Sequence, residues 1–373
     1  MKYKNKILLS AFAAVVMTPL TQAEDVKIKV GAHAFLDYES VEVAGNDLVD
    51  GTELRLFRVD VGGSVGDYVF KSNVDFAGDD VKVKDLFVDF KGDTTIRFGN
   101  FKIPNGLEQP SSLYATAFAE GNSVSKINGL GRQLGIAAYR SFGNVHLAGG
   151  VFGADVNDLS DKDIYSVSGR AAWSLEPMGE DSVLHLGVST RYRDSGSSDT
   201  LFSYGQKPGA NSAPKTVKTS GIGDSDLFVG LEAAWLYQGF SLQSEFSQTM
   251  VDCAATTCSE DPDFQAYYVD ATYFIGGSRT YKDGLFKRDK VFNPVGDGGW
   301  GALAFSARYD VADLNDAVVM GGRQETVVLG ATWYRDNFVR IMANYAHSEF
   351  EDTPAYGDES ADAFILRAQI ELY

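Results

Sequence analysis

The stretch TTIRFGNFKIPNGLEQPSSLYATAFAEGNSVSKINGLGRQ, residues 94–133, decides the fold. It opens as a strand with Ile96 and Phe98 on one face. It then runs through 103–131, nearly thirty residues, with no periodicity of its own. Compact domains rarely carry an irregular segment of that length unless it has a job. Among short alternating strands, it reads as a loop folded into the mouth of a barrel and narrowing it. The expectation is a pore.

Working outward, residues 1–23 are set aside first. Lys2, Lys4 and Lys6 precede an apolar run from Ile7 to Met17, and Thr21-Gln22-Ala23 is a small-residue cleavage site. That is the pattern of a cleaved secretory signal, and the run is too short for a membrane anchor. Residues 24–373 are then expected to form one barrel domain. No later apolar run is long enough for a membrane-spanning helix, which excludes a helical membrane protein. Loss of the three leader lysines takes the formal charge from −18 to −21. That acidity argues against nucleic acid as a partner. It also works against anion selectivity, because net charge contributes to the field felt by an approaching solute. Cys253 and Cys258, in VDCAATTCSED, most simply form one local disulfide in an exported chain. A metal site would need more ligands, and no histidine lies near in sequence, so no cofactor is expected.

The rest of the chain repeats one unit: about ten residues of alternating polarity, then a Gly/Asn/Asp-rich break. Such units in series are the pattern of a transmembrane β-barrel. A β-sandwich alternates in the same way. The barrel is favoured by aromatics at strand ends, by alternating short and long connections, and by a closing strand that ends in Tyr373. Strands are predicted near 25–38, 51–63, 67–77, 81–91, 94–102, 132–142, 144–154 and 164–175. Eight more are predicted near 182–194, 225–237, 239–251, 263–276, 299–311, 324–335, 338–350 and 361–373. The fold class is therefore all-β, a 16-stranded antiparallel transmembrane barrel with inward-folded constriction loops. An even count puts both termini on the periplasmic side. The turns at 64–67, 91–93, 142–144, 237–239 and 335–337 then face the periplasm, and longer external loops follow Asp194, Val251 and Phe350. Residues 277–298 break the rule, being too long for a periplasmic turn. Either the count is off by one or this basic turn, with Arg279, Lys282, Lys287, Arg288 and Lys290, tucks into the lumen.

On each strand the apolar face should meet lipid and the other face water. That sends His185, Arg191 and Arg193 inward opposite Leu184, Leu186 and Val188, and Arg97 inward opposite Ile96 and Phe98. Arg308, Arg340 and Arg367 point inward by the same parity. In TELRLFRVDVGG, residues 52–63, Leu54 and Leu56 share a face and Val59 and Val61 share one, but the parity slips between the pairs. A β-bulge near Phe57 would restore it and bring Arg55, Arg58 and Asp60 to one interior wall. Guanidinium is always charged and grips phosphate or carboxylate in a bidentate manner, so a row of them would ease an anion through a narrow pore. The alternative is that these arginines pair with lumen acids such as Asp60, Asp75, Asp85, Asp89 and Glu245, and only stiffen the barrel.

Over its whole mature length the chain resembles the phosphate-selective porins O and P of Gram-negative outer membranes. The resemblance is carried by GTELRLFRVDVGGSVGDYVFKSNVDFAGDDVKVKDLFVDF, IRFGNFKIPNGLEQPSS, GRQLGIAAY, WGALAFSARYD, VVLGATWYRDNFVRIMANYAHSEF and FILRAQIELY, in that order. It implies a trimeric sixteen-stranded barrel in outer-membrane lipid that takes up phosphate or related anions. It also implies a constriction built by inward loops and one inward turn, which would account for 277–298. Carried over by motif, Arg55 and Arg58 match the family's arginine cluster, Ser111 and Ser112 its serine pair, and Lys102 the lysine before them. This sequence departs from the pattern in having Arg55-Leu56 where the family has two arginines, Leu113 for a basic residue, and Glu120-Gly121 for a Glu-Arg pair. The constriction is less basic than the pattern, although Lys126 and Arg132 remain nearby.

The leading expectation is a diffusion channel for small anions, with phosphate or polyphosphate first. A weakly selective porin for other solutes is the alternative in the same class. A barrel enzyme would need an activated nucleophile or a paired acid and base. The four histidines, His33, His146, His185 and His347, form no evident Ser/His/Asp set in the sequence, so no enzyme is expected. A structural barrel would be plugged.

Overall fold

The segment Gly223–Tyr237 shows why this sequence builds a wall facing lipid. Leu227, Leu231 and Trp235 lie on its exposed face, while Phe228, Glu232 and Ala234 between them are buried. An apolar outer face backed by an inner face that buries Asp226 and Glu232 beside Phe228 and Ala234 departs from the pattern of a soluble protein and suits a strand between lipid and lumen. The structure, a computed structural model, describes residues 26–372 apart from 113–114, 159–162, 180–181, 197–199, 255 and 317. The expected leader 1–23, Leu113 and Tyr373 lie outside the described residues.

The wall begins with β1 (Lys27–Val43), β2 (Asn46–Val65), β3 (Tyr68–Asp75), β4 (Lys82–Phe90), β5 (Thr95–Lys102), β6 (Arg132–Phe142), β7 (Val145–Phe152), β8 (Tyr165–Leu175) and β9 (Ser182–Asp194). A short pair, β10 (Gly205–Gln206) and β11 (Val217–Lys218), lies in the loop that follows. The wall resumes with β12 (Gly223–Tyr237), β13 (Phe240–Cys253) and β14 (Asp263–Ile275). A separate hairpin, β15 (Gly277–Lys282) and β16 (Leu285–Val291), comes before the last four wall strands. These are β17 (Ala302–Asp316), β18 (Val319–Tyr334), β19 (Val339–Glu351) and β20 (Ser360–Leu372). Sixteen strands, each antiparallel to the next, close into a barrel through the pairing of β1 with β20. Closure leaves no sheet edge with unpaired backbone groups, the condition for spanning a bilayer with strands.

Exposed aromatics gather near both rims. Tyr68, Phe90, Phe142, Trp173, Trp235 and Trp333 lie near the rim of short turns, and Tyr165, Tyr192 and Tyr309 towards the rim of long loops. Two such girdles mark the membrane interfaces of an outer-membrane barrel.

Two details differ from the sequence reading. The β1–β2 hairpin runs on to a two-residue turn at Ala44-Gly45, where residues 39–50 were expected to be a loop. Both turn residues have positive φ, 51° and 72°, as a two-residue type I′ hairpin requires. In this extension Val41 and Val43 are buried on the inner face while Ser40 and Glu42 lie on the other, so its polarity is the reverse of the wall's and gives no lipid-facing signal. The second correction concerns the bulge. Phe35 pairs with Leu56 and Leu36 with Leu54, so Arg55 is the inserted residue, ahead of the expected Phe57. Leu54 and Leu56 therefore do not share a face: Leu54 is exposed and Leu56 is buried.

Candidate functional site

Residues 103–131 fold into the lumen against β9, β13, β17 and β19, and the wall's polar side chains satisfy the loop's backbone. Ile103 N donates to Gly131 O at 3.0 Å and closes the loop's base. Gly106 N donates to Ser189 Oγ at 3.1 Å, and the Leu107 and Glu108 amides donate to the Glu245 carboxylate at 2.7 and 3.0 Å. Gly106 has φ +75°, and a Cβ there would stand 2.5 Å from Glu245 Oε1. Only glycine lets the chain approach so closely. Further on, Asn344 Oδ1 accepts from Ala119 N at 2.7 Å and Asp310 from Ser123 N at about 3.0 Å. Ser123–Ile127 then form a single helical turn, α1, capped by Asn122, whose Oδ1 accepts from Ser125 N at 2.8 Å. Irregular backbone at membrane depth needs this accounting, since unpaired amides there are costly.

From the opposite rim the β15–β16 hairpin rises to meet the loop. Phe286 N donates to Ser111 Oγ at 3.1 Å. Arg279 donates to Ala115 O at 2.8 Å and to Gln243 Oε1 at 2.7 Å. The hairpin is held to the wall by Arg170, which donates to Gly284 O at 2.9 Å, and by Tyr281, whose hydroxyl lies 2.6 Å from His185 Nδ1. Segment 277–298 is thus an inward hairpin, and the strand count was not off by one.

The two inward segments fill the β9–β19 side and leave a cavity of about 680 Å³ against β2–β8. Nine of its lining residues are Lys or Arg (Arg58, Lys71, Lys91, Arg97, Lys102, Arg132, Arg140, Arg170, Lys287) and three are Asp (Asp85, Asp93, Asp283). Ser111 and Ser112 line it too. Several of these cations are paired. Arg58 donates to Asp75 at 2.9 Å, Arg97 to Asp89 at 2.7 Å and Arg132 to Asp85 at 2.7 Å, with Lys71 3.2 Å from Asp85. Arg97 also stacks 3.8 Å over the Phe87 ring. Lys102 donates to Ser111 O at 3.0 Å and forms no ion pair among the described residues. A second cavity, of about 900 Å³, surrounds the hairpin at the short-turn rim and is lined by Arg279, Lys282 and Lys290. Burial draws the Lys287 ammonium below its ordinary value and Lys282 adds to this, against the opposing pull of Asp283.

The expected residues are distributed over both cavities and the two sides of the loop. Arg58, Arg97, Lys102, Ser111, Ser112, Arg132 and Lys287 come together around the first cavity, and Lys282 lies at the second. Arg191, Arg193, Arg308 and Arg340 point inward but stand behind the loop and do not line the first cavity, contrary to expectation. Arg191 donates to Asn128 O at 2.9 Å, Arg308 to Asp270 at 2.7 Å and to Glu108 at 2.5 Å, and Arg340 to Thr116 O at 3.2 Å. Arg193 pairs with Asp226 at 2.7 Å and stacks on Phe202. A planar fork suits them to gripping loop carbonyls and wall acids. Arg55 and Lys126 meet at Glu120 on the loop's other side, 3.1 Å away in each case. Cys253 and Cys258 are bonded to each other in an external loop, away from both cavities. Lys71 and Arg170 escaped the sequence reading. Parity offered a signal for both, since Lys71 shares a face with Asp75, and Arg170 with Ser166 and Ser168.

A family model for phosphate-selective porin O and P matches residues 26–372. A protein of Caulobacter vibrioides, described only as uncharacterized, is 28% identical over 381 residues, covering 95% of this chain and 76% of that protein. Among solved structures, an anion-selective porin from Comamonas acidovorans superposes with a TM-score of 0.60 at 13% identity, covering 93% of this chain and 100% of that one. The trimer form of OmpT, an outer membrane protein of Vibrio cholerae, gives 0.57 at 13% identity, covering 93% and 99%. At these identities the structures speak for the fold alone.

Proposed function

The chain belongs to the phosphate-selective porin O and P family and sits in the Gram-negative outer membrane, and on that premise we propose that it conducts small anions, phosphate foremost, by passive diffusion. The observation that carries this reading is the lining of the 680 Å³ cavity, where lysines and arginines outnumber carboxylates in a chain of formal charge −18. A permeating ion feels the charges within about 8 Å at physiological salt. Acids on distant external loops therefore count for less than Lys102, Arg132 and Arg58. Ser112 lies at the same narrowing, whereas the Ser111 hydroxyl is engaged in the constriction itself, donating to Leu107 O and accepting from Phe286 N. The channel works without catalysis or cofactor, and a homotrimer is the proposed assembly, the Vibrio neighbour being described in a trimer form.

The pairing of Arg58, Arg97 and Arg132 with Asp75, Asp89 and Asp85 favours a second reading, a channel of mild anion preference without strict phosphate selectivity. The two separate in a planar bilayer when chloride current is titrated with phosphate. The phosphate reading expects inhibition at low concentration, weakened about ten-fold or more in an Arg58→Ala, Arg132→Ala double variant. Loss of one charge-assisted contact is worth roughly that factor per site. Phosphate acting no more strongly than sulfate or acetate would leave only the mild preference.

A further inference from the structure

On the external-loop side of the constriction, three cations from distant parts of the chain converge on one carboxylate. Arg55 of β2 reaches Glu120 at 3.1 Å, Lys126 at 3.1 Å and Arg367 of β20 at 3.5 Å. The adjoining cavity of about 130 Å³ is lined by Lys126, Lys207 and Lys215, with Glu120 its one acidic lining residue. Burial raises the Glu120 carboxyl, but Lys126, Arg55 and Arg367 outweigh it and hold the group well below the usual carboxylate range, so it stays ionised.

The carboxylate is not what fixes the loop. The backbone on either side is pinned separately, by Asn344 at Ala119, by Arg367 donating to Ala119 O at 2.7 Å, and by Asp310 at Ser123. Arg308 holds the carbonyl of residue 120 itself. Arg367 is already saturated by Asp37, at 2.8 and 2.6 Å. Among the described residues Arg55 and Lys126 have no comparably close acid besides Glu120, since Glu53 stands 4.0 Å from Arg55. The arrangement is an anion seat filled from within.

We propose that Glu120 is an internal competitor for the transported anion, its carboxylate occupying an oxyanion seat made by Arg55 and Lys126 with Arg367 behind, so that its charge limits how tightly the external mouth holds phosphate. This rests on the anion-channel reading and names the residue that tunes it. A bidentate guanidinium and an ammonium offer a phosphate oxygen pair what they offer a carboxylate. An incoming oxyanion must therefore displace Glu120 or share its cations.

The test uses the purified full chain in planar bilayers, with inorganic phosphate as the probe against chloride current and reversal potentials in a KCl gradient. Glu120→Gln is expected to lower the half-inhibitory phosphate concentration about ten-fold, the scale of removing one like charge beside a partly screened seat. It should also move the reversal potential further towards chloride. Combining it with Arg55→Gln should return both readouts towards wild type, which a merely displaced loop would not do. Unchanged inhibition in Glu120→Gln, or a double variant indistinguishable from the single, would overturn the proposal. A wild type that prefers cations would instead refute the channel reading, while the difference between wild type and Glu120→Gln would still report on Glu120.

Discussion

Arg308 shows what an arginine does inside this barrel. Its side chain is 2% exposed, bound to Asp270 at 2.7 Å and to Glu108 at 2.5 Å. Removing one partner of a buried pair strands the other's charge, at a cost of about 3–5 kcal/mol. Arg308→Ala should therefore lower the urea midpoint of the barrel refolded in lipid vesicles. Arg308→Met combined with Asp270→Leu and Glu108→Gln should recover much of that loss, since neutral replacement of a whole buried ionic group is often tolerated. An undiminished midpoint in the single variant would contradict the assigned role. Lys287 makes a pH-dependent case. A lysine drawn below its ordinary value sheds its proton earlier as pH rises, so positive charge leaves the cavity before ordinary lysines titrate near 10.4. Anion preference should then decline between neutral pH and that point, and Lys287→Arg, which stays charged, should flatten the profile. Parity in the sequence told which arginines face inward, including Arg191, Arg308 and Arg340. It could not tell lining from bracing, because that depends on where an aperiodic loop lies against the wall.

The element that sets the aperture is the contact between loop 103–131 and the β15–β16 hairpin. Arg279→Ala removes the bonds to Ala115 O and Gln243. Each charge-assisted bond is worth about 1.5–3 kcal/mol, enough to loosen the base of the hairpin against loop and wall while Phe286 N still donates to Ser111 Oγ near the tip. Single-channel conductance should rise and the open level become noisier, while a silent variant would mean the clasp does not limit the opening. The wall strands themselves were legible, because lipid on one face and polar interior on the other impose a strict period of two. Their ends were less so. β1 and β2 continue to Ala44-Gly45 through a stretch whose valines, Val41 and Val43, face inward, and the bulge falls at Arg55 because only cross-strand pairing with Phe35 and Leu36 fixes it. The inward hairpin could be read only as a violation of the turn-length rule, which was informative because the rest of the chain obeys it.

For the whole molecule, the net charge and the charge balance lining the first cavity have opposite signs. The chain is acidic, with a pI near 4.6, yet in the cavity against β2–β8 nine lining cations face three lining carboxylates. Screening separates the two scales, since charges more than about a Debye length apart scarcely interact through solvent. The account therefore predicts that raising ionic strength weakens selectivity without reversing it. Anion conduction is read most directly from the zero-current potential of the wild-type channel across a tenfold KCl gradient. The expected sign is that set by chloride permeating faster than potassium, whereas a potential of potassium's sign, or a bilayer with no conductance at all, would contradict an anion channel.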